Sequence, residues 1–222
     1  MKNLTKLSFL LLFMLAHIPC ALAQPQQETV AWGDFEPVLV GLASKASDIQ
    51  KALGKEDTKT TQLLDSIKSS VQVLLREWGR DVSDGPKSYY LGLTSNDELL
   101  KNVLEQKFSN AQALKVLQSV ADDLRIKAAH CVKSEGGWAT LINAIVTTKK
   151  DGKVVTEHEV WFVQLGWADA PERWERFPKL SSPTEKSLAP GIYMMRVKNG
   201  ESTPIEIGGD GKNQQGVDLI AP

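Results

Sequence analysis

Three tryptophans within 14 positions, Trp161, Trp167 and Trp174, are the residues of this chain best suited to recognition chemistry. An indole has a large flat apolar face and one N–H donor, so it can stack on a sugar ring or anchor a partner. Trp167 and Trp174 stand beside Glu172, Arg173, Glu175 and Arg176 in a segment broken by turns, and they are the candidate ligand-binding residues. The competing reading packs them into a seam between that segment and a sheet. Trp161 alternates with Val163 and Leu165, the apolar set of a strand, and burial is expected for it.

Other reactive side chains yield less. His130 and Cys131 are adjacent, but neighbours on a helix point about 100° apart, so they do not face each other as base and nucleophile. Cys131 also completes an apolar stripe, the position of a buried structural cysteine. His130 and His158, with Cys131, lack the spacing of a metal site. Glu157 and Glu159 would sit about 7 Å apart on one strand face, as any i, i+2 pair does, and a carboxylate pair of that kind can hydrolyse glycosides. Asp122-Asp123 falls opposite an apolar stripe and reads as solvated surface. There is no nucleophile elbow, zinc motif, phosphate loop or heme-attachment pair. No catalytic, metal or cofactor residue is assigned.

Helices must position the first half of the chain. Leu64, Ile67, Val71, Leu74 and Trp78 step by 3, 4, 3 and 4, which sets them on one helical stripe. Leu114, Leu117, Ala121, Leu124, Ala128 and Cys131 do the same after Asn110, the expected N-cap. A third helix carries Val38, Leu42, Ala46, Ile49 and Leu53 and ends at Gly54. A fourth opens at Ser95, which forms a capping box with Glu98, and presents Leu99, Leu100, Val103 and Leu104. Asp81 to Thr94, with Gly85-Pro86, reads as a loop. Four amphipathic helices joined by short loops predict a small bundle.

Past Gly136-Gly137 the apolar period changes from helical to alternating. Leu141–Lys149 and Val154–Leu165 flank Asp151-Gly152, a hairpin signal because that turn needs positive φ. Ile192–Lys198 and Thr203–Ile207 flank Asn199-Gly200 in the same way, and Val217–Ile220 completes the strands. Gly166 to Ser187 reads as a long ordered crossover, since Trp167, Trp174 and Phe177 are costly to leave in water. The fold class expected is α+β: a four-helix bundle-like N-terminal domain followed by a small antiparallel β-sandwich or sheet. The expected boundaries are an exposed segment 24–33, a helical domain 34–132, a linker 133–137 and a β domain 138–222.

The run Leu188-Ala189-Pro190-Gly191-Ile192-Tyr193, then Val197, Pro204-Ile205-Glu206-Ile207 and Val217-Asp218-Leu219, resembles the last strands of carboxypeptidase regulatory-like, or transthyretin-like, β-sandwich modules. The resemblance covers about 35 of the 222 residues. It implies an accessory domain that folds, spaces and binds without an active site.

The N-terminus points to export. Lys2 and Lys6 precede an apolar run, Leu7 to Ala16, and Ala21-Leu22-Ala23 offers small residues for cleavage before Gln24, so 1–23 reads as a signal peptide. Its apolar stretch is shorter than the roughly 18 residues of a membrane span. Cys20 raises a lipid-anchor alternative, against which His17 and Pro19 stand, where small residues are wanted. Cleavage removes two lysines and no acids, taking the net charge from −1 to −3 and excluding a nucleic-acid footprint. Cys131 then remains alone, with no intrachain disulfide. Three readings stand: an exported non-catalytic accessory module, periplasmic or extracellular; a glycan- or small-ligand-binding protein using Trp167 and Trp174; and a carboxylate-dependent hydrolase. A protein or glycan partner is open, as is a homodimer through the helices.

Overall fold

A computed structural model describes residues 28–53, 57–78, 84–133 and 140–222. The expected signal peptide, Gly54, Gly136-Gly137 and Trp138 lie outside the described residues. The fold is α+β. Four helices, α1 (Trp32–Leu53), α2 (Thr58–Trp78), α3 (Lys87–Leu104) and α4 (Asn110–Lys133), precede the strands that make up the second half.

The helical stripes read from the sequence form the core of the first half. Leu64, Ile67, Val71, Leu74 and Trp78 of α2 are buried, as are Leu117, Ala121, Leu124, Ala128 and Cys131 of α4. Aromatic rings close one end. Trp78 meets Phe35 and Tyr89 edge to face, each at 5.0 Å between ring centres. Such pairs add about 0.5–1.5 kcal/mol beyond the area they bury. The stripes that could have paired two chains are therefore covered within one chain.

Two helix starts differ from expectation. Helix α4 is capped one residue earlier, at Ser109: its N–H donates to Gln112 Oε1 at 3.1 Å, one arm of a capping box, and its hydroxyl donates to the same oxygen at 2.9 Å. Helix α3 begins at Lys87, directly after Pro86, and not at Ser95. Ser95 is buried in mid-helix instead. Its stripe of Tyr89, Leu93, Asn96, Leu100 and Val103 includes a polar residue, which hid the first two turns from an apolar count. Residues 29–31, expected only as an exposed segment, form strand β1 (Thr29–Ala31), which pairs antiparallel with β2 (Asp84–Pro86) and ties the start of α1 to the start of α3.

The second half is two facing sheets. One is built on β3 (Ile142–Lys150), flanked by β4 (Lys153–Val154) and β7 (Thr184–Leu188) on one side and β10 (Gln214–Ile220) on the other. The other runs β6 (Glu175–Arg176), β5 (Val160–Gln164), β8 (Gly191–Val197), β9 (Thr203–Ile207). Ile142, Ala144, Val146, Val217 and Leu219 face Val160, Phe162, Tyr193, Met195 and Val197 across a shared core.

Both predicted turns are present, with Asp151 at φ 50° and Asn199 at φ 65°. The first hairpin is short, because the chain leaves β4 after Val154 and Val160 onward joins the facing sheet. The sandwich is not wholly antiparallel: β10 runs parallel to β3, with Gln214 opposite Asn143 and Ile220 opposite Lys149. The chain reaches β10 by crossing from one sheet to the other, so no hairpin constrains its direction.

Candidate functional site

The helices and the sandwich meet at a buried polar junction. Asp123 of α4 is 6% exposed and Lys127, one turn on, is 2% exposed. Lys127 Nζ donates to Asp123 Oδ2 at 2.6 Å, and Asn96 Nδ2 of α3 donates to the same oxygen at 2.6 Å. Asp123 Oδ1 accepts the backbone N–H of Ile192 in β8 at 2.8 Å. One carboxylate therefore holds two helices and a strand. Asp123 is thus buried, and not the solvated surface residue that its place opposite the stripe predicts. Position 123 lies off the stripe that faces the helical core, but the sandwich covers that flank of the helix.

Two glycines permit this approach. A Cβ on Gly191 would collide with Lys127 Nζ and lie 2.5 Å from Asp123 Oδ1. A Cβ on Gly92 would lie 2.9 Å from Gln164 Oε1. Gln164 Nε2 in turn donates to the Ser88 carbonyl at 3.0 Å, a second link between β5 and α3.

Beside the junction lies a groove of about 120 Å³, walled by Ser88 and Leu91 of α3, Phe162 and Gln164 of β5, and Lys186 and Leu188 of β7. Trp167, Arg173, Glu175 and Tyr193 complete it. Trp167 ends a short 3-10 turn, Leu165–Trp167, that carries the chain from β5 over α3. It is half-buried, its Nε1–H donates to Glu98 Oε2 at 3.3 Å, and the Arg173 guanidinium lies 4.8 Å from its ring centre. Lys186 Nζ pairs with Glu175 at 2.7 Å and sits 4.6 Å from the Phe162 ring centre. Two wider hollows, of about 430 and 500 Å³, contain no aromatic side chain.

Of the two candidate tryptophans, Trp167 lines this groove and Trp174 does not. Trp174 is half-buried, donates from Nε1 to the Ala168 carbonyl at 3.1 Å, and stacks under the Arg196 guanidinium at 4.2 Å. It clamps its own loop onto the sheet.

Other expected candidates fall apart spatially. Trp161 is only half-buried, because Val160 and Phe162 fill the core; Val163 is buried on the other face, at the groove. Glu157 sits in a bend at φ 66°, not on a strand with Glu159. Glu159 is paired with Lys198 at 3.0 Å and Arg176 at 3.1 Å, and the hydrogen bond from Lys198 leads in holding its carboxyl below the ordinary range. That is the reverse of a general acid. Burial raises the Cys131 thiol to about 12 and lowers the His130 imidazole. Among the described residues no cluster of histidine, cysteine and acidic side chains could hold a metal ion, and no helix is long and apolar enough to cross a membrane.

No family model and no curated protein matches this chain. Among solved structures, a crystal structure of (S)-allantoin synthase aligns over 84% of this chain and 95% of its own at 10% identity, with a TM-score of 0.24. A likeness that distant carries no argument.

Proposed function

We propose that this chain is an exported, non-catalytic binding module whose ligand lies in the groove between α3 and the sandwich, against Trp167. One observation carries the reading. The groove is walled by both halves of the molecule, and an indole, a phenyl ring and charged side chains converge on it. Concave sites with mainly apolar walls and a few placed polar groups are the usual form of small-ligand sites. The ligand is a small molecule or a single sugar unit.

Several features support the accessory character. The reactive groups weighed from the sequence are either buried in unreactive form, as Cys131 is, or neutralised in ion pairs, as Glu159 is. The resemblance to transthyretin-like modules implies the same role, and most of the residues that carry it fall on β8, β9 and β10. Export rests on the charged and apolar pattern of residues 1–23.

Two measurements test this. N-terminal sequencing of the mature protein should start at Gln24; a chain beginning at Met1 ends the export reading. Titration with a panel of monosaccharides and small metabolites should perturb tryptophan fluorescence in the parent and not in Trp167→Ala. A response that survives in Trp167→Ala and disappears in Trp174→Ala places the ligand elsewhere.

A further inference from the structure

We infer that the groove selects a small organic acid, its carboxylate held by Arg173 and its apolar part seated against the wall of Leu91, Phe162 and Leu188. This rests on the groove being the binding site and adds the chemical class of its ligand.

The charge balance at the groove is uneven. Glu175, the acid in its wall, is already paired with Lys186 at 2.7 Å. Arg173 also lines the groove, and no carboxylate of a described residue lies within ion-pairing distance of it. Its guanidinium rests over the Trp167 ring. Stacking leaves the edge N–H donors of a guanidinium in place for a carboxylate, which it can grip through two parallel hydrogen bonds. A neutral sugar would use none of this charge.

Size narrows the class further. The groove encloses about 120 Å³, close to the roughly 150 Å³ of an apolar cavity that admits benzene. It suits one ring or a short chain. Leu91, Phe162 and Leu188 give that part an apolar wall.

The mature chain is titrated with benzoate and, as its neutral match in shape, benzamide. The readout is the Trp167 indole Nε1–H resonance, assigned with Trp167→Phe. Benzoate should shift this signal with an affinity at least about tenfold above benzamide, and added salt should narrow the gap. Arg173→Gln should abolish the preference while the spectrum stays that of a folded chain. Equal affinities for the two probes overturn the acid inference and leave the groove reading intact. A preference that survives Arg173→Gln but is lost in Lys186→Gln overturns the role of Arg173. A Trp167 signal unmoved by both probes, and by the panel of neutral ligands, removes the groove as a site altogether.

Discussion

Asp123 Oδ1 accepts the backbone N–H of Ile192 at 2.8 Å, across a separation of 69 residues. The other oxygen of the same carboxylate takes Lys127 and Asn96, so its charge and its lone pairs are used in one place. The two hydrophobic cores are distinct, yet Ala189, at the entrance to β8, packs with the helical one. Helices and sandwich are fastened by a polar bolt beside an apolar seam.

Removing that bolt should cost far more than a surface charge. Asp123→Ala leaves Lys127 buried without its partner, and breaking a buried pair from one side costs about 3–5 kcal/mol. Urea unfolding should show this loss, with Asp123→Leu combined with Lys127→Met losing less than the single change. Near-UV and far-UV signals should move together in the parent. A loss under 1 kcal/mol for Asp123→Ala, no larger than an exposed ion pair gives, would show that the junction is solvated.

Stability should fall with acid through His130. The ring is wholly buried, with Nε2 3.2 Å from the Thr140 carbonyl. In the neutral ring Nε2–H donates to that oxygen, leaving Nδ1 buried with no hydrogen-bond partner among the described residues. Burial holds its pKa below the ordinary 6.5, outweighing the opposing pulls of Thr140 and Asp210. The unfolded chain then binds a proton that the folded chain refuses, so this stability is present above about pH 6.5 and is lost as pH falls through the folded pKa. Thermal melts should show a shallower acid slope in His130→Gln than in the parent. Parallel slopes would remove His130 from the acid response.

Cys131 should be silent until the protein opens. Its thiol is buried and raised to about 12, so almost none is thiolate at pH 8. Ellman's reagent should find no reactive thiol in the native mature chain and one full equivalent in guanidinium chloride. Rapid labelling of the native protein would mean that the thiol lies at the surface.

The two loop tryptophans should separate by role. Trp174→Ala breaks the clamp made with Ala168 and Arg196 and should destabilise by about 1–3 kcal/mol, the range for loss of a specific packed contact, while the ligand response at Trp167 is retained. Trp167→Ala should lose the ligand response with a smaller effect on unfolding. The opposite assignment of the two losses would place the site at Trp174.

What could be read in the sequence was whatever repeats at short range. The stripes Leu64 to Trp78 and Leu117 to Cys131 are buried as their spacing requires, because a helix face is set by residues three and four apart. Asp151-Gly152 and Asn199-Gly200 turn the chain because the left-handed backbone there is local chemistry. Tertiary structure decided what depends on partners distant in sequence. Helix α3 gains its first two turns from the buried Tyr89 and from the β1–β2 pairing that delivers Pro86. Asp123 is buried because a strand 69 residues later comes to lie on it. Trp167 joined the groove and Trp174 the clamp according to which distant side chains, Leu91 and Leu188 or Arg196, the folded chain brings beside them. Periodicity along one segment carries no information about what another segment presents to it, and a binding groove is made of such encounters.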